Sequence, residues 1–172
     1  MAFDRSSSDV PEVSVLMVRD VAGVYRPAHV GEVLEVAQQM LLEQIRGRQV
    51  LSSPQVLRDF LRVRLGGLEH EVFAVLMLDT QHRLIEYVEL FRGTVSQTSV
   101  YPREVIKEAL ARNAAAVVLM HNHPSGLADP SRADEHLTNI LKSALALVDV
   151  RVLDHLIVAG AEVLSFAERG LM

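Results

Sequence analysis

Two histidines separated by a single residue, His121 and His123, form the part of the sequence best suited to chemistry. They directly follow the apolar run 114–120, which predicts a buried strand. Because side chains alternate along an extended chain, residues two apart point to the same side, so both imidazoles can reach one ion. Asp134 comes eleven residues after His123, beyond a loop rich in turn residues. The pattern predicts that these three side chains share a metal ion.

The ligand set indicates which metal to expect. The chain contains no cysteine, so thiolate ligands are excluded and an ion must be held by His, Asp or Glu. Two imidazoles and one carboxylate suit zinc and leave a fourth tetrahedral position for water, which is typical of catalytic rather than structural zinc. We therefore expect one Zn²⁺ per chain, bound by His121, His123 and Asp134.

The elements that must position these ligands indicate a mixed α/β fold, with a sheet flanked by helices. Helical spacing of apolar residues predicts the helices, and extended apolar runs predict the strands, including a β-hairpin before the histidines. The predicted helices cover 30–45 and begin again at Pro54, Pro102 and Arg132, and the predicted strands cover 13–18, 72–78, 84–91, 114–120, 151–158 and 162–166.

Composition predicts three regions in a chain of 172 residues. Residues 1–11 are rich in serine and are expected to form a flexible N-terminus. Residues 12–49 are expected to form an N-terminal strand and helix, and residues 50–172 the main domain that carries the histidines. A hydrophobic fraction of 49% is sufficient for a packed core.

The charge balance bears on possible partners. The chain has 17 Lys and Arg against 22 Asp and Glu, a formal net charge of −5, which argues against direct binding to a phosphate backbone. The sequence has neither the apolar run of a signal peptide nor that of a membrane span, so we expect a cytoplasmic protein without membrane contact. A group of arginines keeps open a contact with DNA or a repair protein. It comprises Arg46, Arg48, Arg58, Arg62 and Arg64.

The histidine pattern is part of a longer signature. His121, one residue, His123, seven residues, Ser131, two residues and Asp134 together resemble the motif of the JAMM (MPN/JAB) metalloprotease superfamily. More narrowly, residues 50–172 resemble the bacterial RadC family, through the segments EVFAVLMLDTQHRLIEYVELFRGT, VYPREVIKEAL, HNHPSG and LDHLIV. The resemblance implies a JAB/MPN domain with a cytidine-deaminase-like architecture. Long RadC chains carry an N-terminal helix-hairpin-helix-like region with no counterpart in this sequence, so we expect a short form.

The resemblance also implies an activity, that of a zinc-dependent metallopeptidase. Such an enzyme hydrolyses an amide or isopeptide bond in a protein or peptide, here of unknown identity. In the JAMM pattern a glutamate at the start of the first strand is the general base, and Glu71, directly before the apolar run 72–78, matches this placement. Glu89 is a rival for this role, and Glu69 is a weaker one. The alternative is a non-enzymatic RadC-like module that acts in DNA repair or in DNA-associated protein interactions.

Three further residues receive a role from this resemblance. Ser131 is expected to donate a hydrogen bond to the developing oxyanion or to the metal-bound water, and it can also cap the helix that follows it. Asp154 and His155 are expected either to support a ligating histidine from behind or to face the substrate.

Two other chemistries are disfavoured. The string His121, Asn122, His123 invites an HNH-nuclease interpretation, but in those enzymes the three residues are dispersed over a ββα unit. Cytidine deaminases bind zinc through a cysteine pair, which this chain lacks. Four further histidines have no partner at ligand spacing and receive no role. They are His29, His70, His82 and His136.

Overall fold

The computed structural model describes residues 15–50, 54–93 and 99–172. The flexible N-terminus predicted for residues 1–11 lies outside this part of the chain. The elements are β1 (Met17–Arg19), β2 (Tyr25–Pro27), α1 (Val30–Ile45), α2 (Pro54–Leu65), β3 (Val72–Leu78), β4 (Leu84–Arg92), α3 (Pro102–Ala111), β5 (Ala116–Asn122), α4 (Arg132–Ala146), β6 (Arg151–Ala159) and β7 (Glu162–Ser165).

The chain divides into two compact units, Met1–Val36 and Ala37–Met172. In the first unit β1 and β2 form an antiparallel pair, with Met17 opposite Pro27. The guanidinium of Arg26 donates two hydrogen bonds, of 2.9 and 2.7 Å, to the carboxylate of Glu32 in the first turn of α1. The domain boundary expected at residue 50 stays a prediction.

The second unit contains a five-stranded mixed sheet with the order β4-β3-β5-β6-β7. Strand β3 is antiparallel to both of its neighbours, β4 and β5. Strand β6 is parallel to β5 and antiparallel to β7. Every residue of β3 and β5 is buried, which explains why the sequence shows continuous apolar runs there rather than alternation.

Helices cover both faces of this sheet. Alternate residues of a strand face opposite sides, so β3 contributes Ala74 to one core cluster and Phe73 to the other. The first cluster lies under α2 and the end of α1, and includes Ile45, Leu57, Phe60, Leu61, Ala74, Val118 and Leu156. The second lies under α3 and α4, and includes Phe73, Val75, Val105, Ala109, Leu119, Leu141 and Leu145. This arrangement confirms the predicted mixed α/β fold.

One boundary that matters for chemistry differs from the prediction. Strand β5 continues to Asn122, so His121 lies within the strand and pairs with Phe73 on one side and Ile157 on the other. His121 is therefore 1% exposed and lies inside the strand rather than just after its end. Across the described residues, the helices are too short or too polar to cross a membrane.

Candidate metal centre

Three side chains from two elements meet where β5 ends and α4 begins. The Nε2 atoms of His121 and His123 are 2.9 Å apart. Asp134 places Oδ1 3.3 Å from Nε2 of His121 and Oδ2 3.6 Å from Nε2 of His123. A tetrahedral zinc ion with bonds near 2.0–2.1 Å would hold its ligand atoms about 3.3 Å apart. The structure thus brings the three predicted ligands together, and the group could hold a metal ion.

The hydrogen bond made by Nδ1 of His123 determines whether Nε2 of the same ring can bind a metal ion. Its Nδ1 lies 2.8 Å from the backbone carbonyl oxygen of Leu127. A carbonyl can only accept a hydrogen bond, so Nδ1 carries the hydrogen, and Nε2 of the neutral ring presents a lone pair. Gly126, with φ of +78°, makes the turn that returns the Leu127 carbonyl to this ring. Two imidazole nitrogens and a carboxylate form a donor set that fits zinc.

The start of α4 fixes the orientation of Asp134. Ser131 is the N-cap of the helix, and its Oγ accepts a hydrogen bond of 3.2 Å from the backbone N–H of Asp134. In return, Oδ2 of Asp134 accepts hydrogen bonds from the backbone N–H and the hydroxyl of Ser131, at 2.7 and 2.6 Å. This capping box turns Oδ1 towards His121. Ser131 therefore caps the helix and orients a candidate ligand; its role towards an oxyanion stays a prediction.

The charges in the group favour a cation. Burial alone would raise the pKa of Asp134, but the adjacent imidazoles of His121 and His123 outweigh burial and hold the pKa well below its usual range. The carboxylate of Asp134 raises the pKa of His123 against the effect of burial, and the negative charge of Glu71 adds to this rise. An ionised carboxylate and a second negative charge nearby attract a positive ion to this position.

Glu71 is close enough to the metal group for its negative charge to raise the pKa of His123. It comes two residues before Phe73, whose ring stacks on that of His121 at a centroid distance of 6.5 Å. Along an extended chain its side chain leaves on the same side as Phe73. Its rival Glu89 pairs with Ala74, forms an ion pair of 2.9 Å with Arg64 and belongs to the opposite face. The other rival, Glu69, is exposed in the bend before β3.

Asn122 holds the chain around Glu71. Its Oδ1 accepts a 2.7 Å hydrogen bond from the backbone N–H of Val72, and its Nδ2 donates one of 3.0 Å to the carbonyl of His70. On the other side, the backbone N–H of Gly93 donates a 2.8 Å hydrogen bond to the carbonyl of Glu71. Asn122 is 1% exposed. The residue between the two histidines thus fixes the main chain of the candidate base.

His155 and Asp154 are neighbours in sequence, but their side chains contact different parts of the protein. His155 is fully buried, and its Nε2 lies 2.9 Å from Nδ1 of His121. Burial lowers the pKa of His155 well below its usual value, so the ring is neutral. The carboxylate of Asp154 accepts hydrogen bonds from the backbone N–H of Ala167 and the hydroxyl of Ser165, at 3.0 and 2.6 Å. The structure thus brings His155 to the metal group, whereas Asp154 holds the turn after β7.

Thr138 was not found from the sequence. Its hydroxyl lies 2.6 Å from Nδ1 of His155 and donates a hydrogen bond of 2.6 Å to the backbone carbonyl of Asp134. A signal was present, because Thr138 occupies the same helical stripe as Leu141 and Leu145. A hydroxyl group in such a stripe needs a buried hydrogen-bond partner.

Sequence comparison with known families gives a match over most of the chain. The profile of the RadC-like JAB domain matches residues 51–171. This range includes every residue of the metal group as well as Glu71, Thr138 and His155.

Similar proteins with the name UPF0758 occur in several bacteria. The chain is 66% identical to one from Leptothrix cholodnii over 140 residues, which are 81% of this chain and 63% of the relative. It is 60% identical to one from Methylibium petroleiphilum over 150 residues, 87% of this chain and 68% of the relative. It is 51% identical to one from Dechloromonas aromatica over 173 residues, 99% of this chain and 76% of the relative. The chain thus spans roughly two thirds of the first two relatives.

Proposed function

Because the chain belongs to the RadC family of JAB-domain proteins, we propose that it is a zinc-dependent metallopeptidase that hydrolyses an amide or isopeptide bond. The observation that supports this most strongly is the convergence of His121, His123 and Asp134 next to a glutamate at the start of β3. Three ligands and a nearby carboxylate that need not bind the metal are the components of metal-assisted hydrolysis.

His121, His123 and Asp134 are the residues that would hold zinc. Zinc supplies Lewis acidity, which polarises a carbonyl group and lowers the pKa of water to about 7. The capping box at Ser131 keeps the carboxylate of Asp134 in place, and the carbonyl of Leu127 keeps the ring of His123 in place. These supports keep the ligand atoms in position before an ion binds.

Glu71 is the proposed general base. It accepts a proton from the attacking water and returns it to the leaving amine, so that the C–N bond breaks, a C–O bond forms, and a carboxylate and a protonated amine result once the remaining acid proton has also moved to the amine. Ser131 is the proposed donor to the developing oxyanion, a role worth about 3 kcal/mol when the geometry is right. The Ser131 hydroxyl has a single hydrogen, and in this structure it donates that hydrogen to a hydrogen bond with Oδ2 of Asp134. Ser131 must therefore rotate away from Asp134 to act on the oxyanion.

The proposed substrate is a protein or peptide rather than a nucleic acid. The arginines of α2 form ion pairs within the protein. Arg58 lies 2.6 Å from Glu168, Arg62 2.7 Å from Asp59, and Arg64 2.9 Å from Glu89. Cations that already have partners on the surface, in a chain of net charge −5, are a poor site for a phosphate backbone.

A pair of matched variants tests the proposed chemistry. The zinc-loaded protein, Glu71→Gln and Glu89→Gln are incubated with peptides and isopeptide-linked proteins, and new amino groups are detected by mass spectrometry. We expect Glu71→Gln to retain zinc and to lose about 10²–10⁴-fold in hydrolysis, because a general base contributes this much. Glu89→Gln serves as the control and should remain active. Full activity of Glu71→Gln together with loss of hydrolysis in Glu89→Gln would identify Glu89 as the general base instead.

A wild-type protein that binds zinc but cleaves nothing, and whose binding to DNA falls steeply with salt, would instead support the non-enzymatic module.

A further inference from the structure

A chain of hydrogen bonds runs behind His121 through two buried side chains. Nδ1 of His121 lies 2.9 Å from Nε2 of His155, and Nδ1 of His155 lies 2.6 Å from the hydroxyl of Thr138. The hydroxyl of Thr138 lies 2.6 Å from the backbone carbonyl of Asp134. His121, Thr138 and His155 are all at most 1% exposed, so water does not compete for these bonds. This series of hydrogen bonds therefore connects two candidate ligands, His121 and Asp134.

The direction of each hydrogen bond follows from the group at its end. The carbonyl of Asp134 can only accept, so the single hydrogen of the Thr138 hydroxyl points to it. The same hydroxyl oxygen must then accept the hydrogen of its other partner, so Nδ1 of His155 carries a hydrogen. One threonine thus determines which nitrogen of His155 is a donor.

The same reasoning continues to His121. His155 is fully buried beside the rings of Phe73 and Phe166, where a cationic imidazole would be costly. A neutral His155 with its hydrogen on Nδ1 has a lone pair on Nε2, which accepts the Nδ1–H of His121. Nε2 of His121 is then left with its lone pair, 2.9 Å from Nε2 of His123 and 3.3 Å from Oδ1 of Asp134.

We propose that Thr138, acting through His155, is a positioning residue that keeps Nε2 of His121 free of hydrogen and available to the metal. The opposite tautomer of His121 would direct an N–H into the space between the ligand atoms and prevent Nε2 from binding an ion. This inference rests on the proposed metal centre and adds the hydrogen bonds that determine the tautomer of one ligand, His121. Thr138 touches neither metal nor substrate in this scheme.

The test compares zinc affinities, measured by calorimetry in competition with a chelator, for variants of one helix. Thr138→Val keeps the shape of the side chain and removes the hydroxyl, whereas Thr138→Ser keeps the hydroxyl. The matched control is Ser143→Ala, because the exposed Ser143 hydroxyl also donates to a backbone carbonyl of α4, that of Asn139 at 2.8 Å, and takes no part in these buried hydrogen bonds. We expect Thr138→Val to bind zinc about 10–100-fold more weakly, with Thr138→Ser and Ser143→Ala within about threefold of the wild type.

A second measurement reads the tautomer directly, and its result for the wild type alone tests the inference. Long-range ¹H–¹⁵N correlation spectra of the metal-free wild type, at a pH of about 8.5 where free imidazoles are neutral, should show the hydrogen of His121 on Nδ1. In Thr138→Val both tautomers of His121 should be populated. A change in overall packing alone would not move the hydrogen between the ring nitrogens.

The outcomes separate this inference from the proposed function. If the wild type binds zinc and Thr138→Val binds it equally well, the inference is wrong and the metal centre stands. A wild-type His121 that carries its hydrogen on Nε2 also overturns the inference, even if Thr138→Val does not fold. A wild type that binds no zinc at all contradicts the metal centre itself.

Discussion

Asn122 binds the main chain on both sides of Glu71, through the N–H of Val72 at 2.7 Å and the carbonyl of His70 at 3.0 Å. The pairing of β3 with β5 ends at Phe73 and His121, so the Asn122 side chain continues the contact where backbone pairing stops. The residue between the two histidines therefore connects the candidate ligands to the candidate base. A shift of β5 would move both.

Asn122→Ala tests this connection. The change leaves the backbone N–H of Val72 without its partner, and we expect the free energy of unfolding to fall by about 1–3 kcal/mol, as for other unsatisfied buried groups. Zinc affinity should stay close to that of the wild type, because Asn122 does not bind the ligands, whereas hydrolysis should fall as Glu71 becomes less restrained. Urea unfolding, zinc titration and cleavage assays measure the three effects. Hydrolysis that stays at the wild-type rate in Asn122→Ala, with zinc still bound, would contradict the assignment.

Ser131→Ala separates the cap of α4 from the orientation of Asp134. Removal of an N-cap side chain costs about 0.5–2 kcal/mol of stability. The same change removes the hydroxyl that donates to Oδ2 of Asp134, so we expect zinc affinity to fall about 10-fold. Ser131→Thr keeps the hydroxyl and should restore both properties. If Ser131→Ala lowers stability and leaves zinc affinity unchanged, the serine is a cap only.

Periodic elements of the fold could be predicted from the sequence. Helix α1 spans Val30–Ile45, the range given by its apolar spacing, and the hairpin of β3 and β4 lies where the two apolar runs predict it. Strand β2 (Tyr25–Pro27) has three residues and no apolar run, so periodicity could not find it. A sequence pattern predicts an element only when the element is long enough for buried residues to recur on one of its faces.

The faces of Glu89, Asp154 and His155 could not be predicted, because bulges change the alternation of a strand. Ala74 pairs with Glu89 whereas Phe73 pairs with Phe91, so the intervening residue of β4 is unpaired. A second irregularity lies between Val117 and Val118 in the pairing of β5 with β6, immediately before Asp154 and His155. An extra residue reverses which side chains face the metal group, and nothing in a single sequence marks its position.

Long-range hydrogen bonds also could not be predicted from the sequence. The local signature of histidines, serine and aspartate identified three ligands that the structure does bring together. Thr138 and Asn122 act through partners on other strands or on the backbone, and such contacts follow from packing rather than from spacing.

Metal content tests the central claim most directly. The protein is purified without a histidine tag, and zinc per chain is measured by elemental mass spectrometry for the wild type, His123→Ala and His136→Ala, the last being an exposed histidine of α4 outside the metal group. We expect about one zinc ion per chain in the wild type and in His136→Ala, and almost none in His123→Ala, because three protein ligands are needed for a stable site. A wild type that is empty and also refuses added zinc would contradict the metal centre and the function built on it.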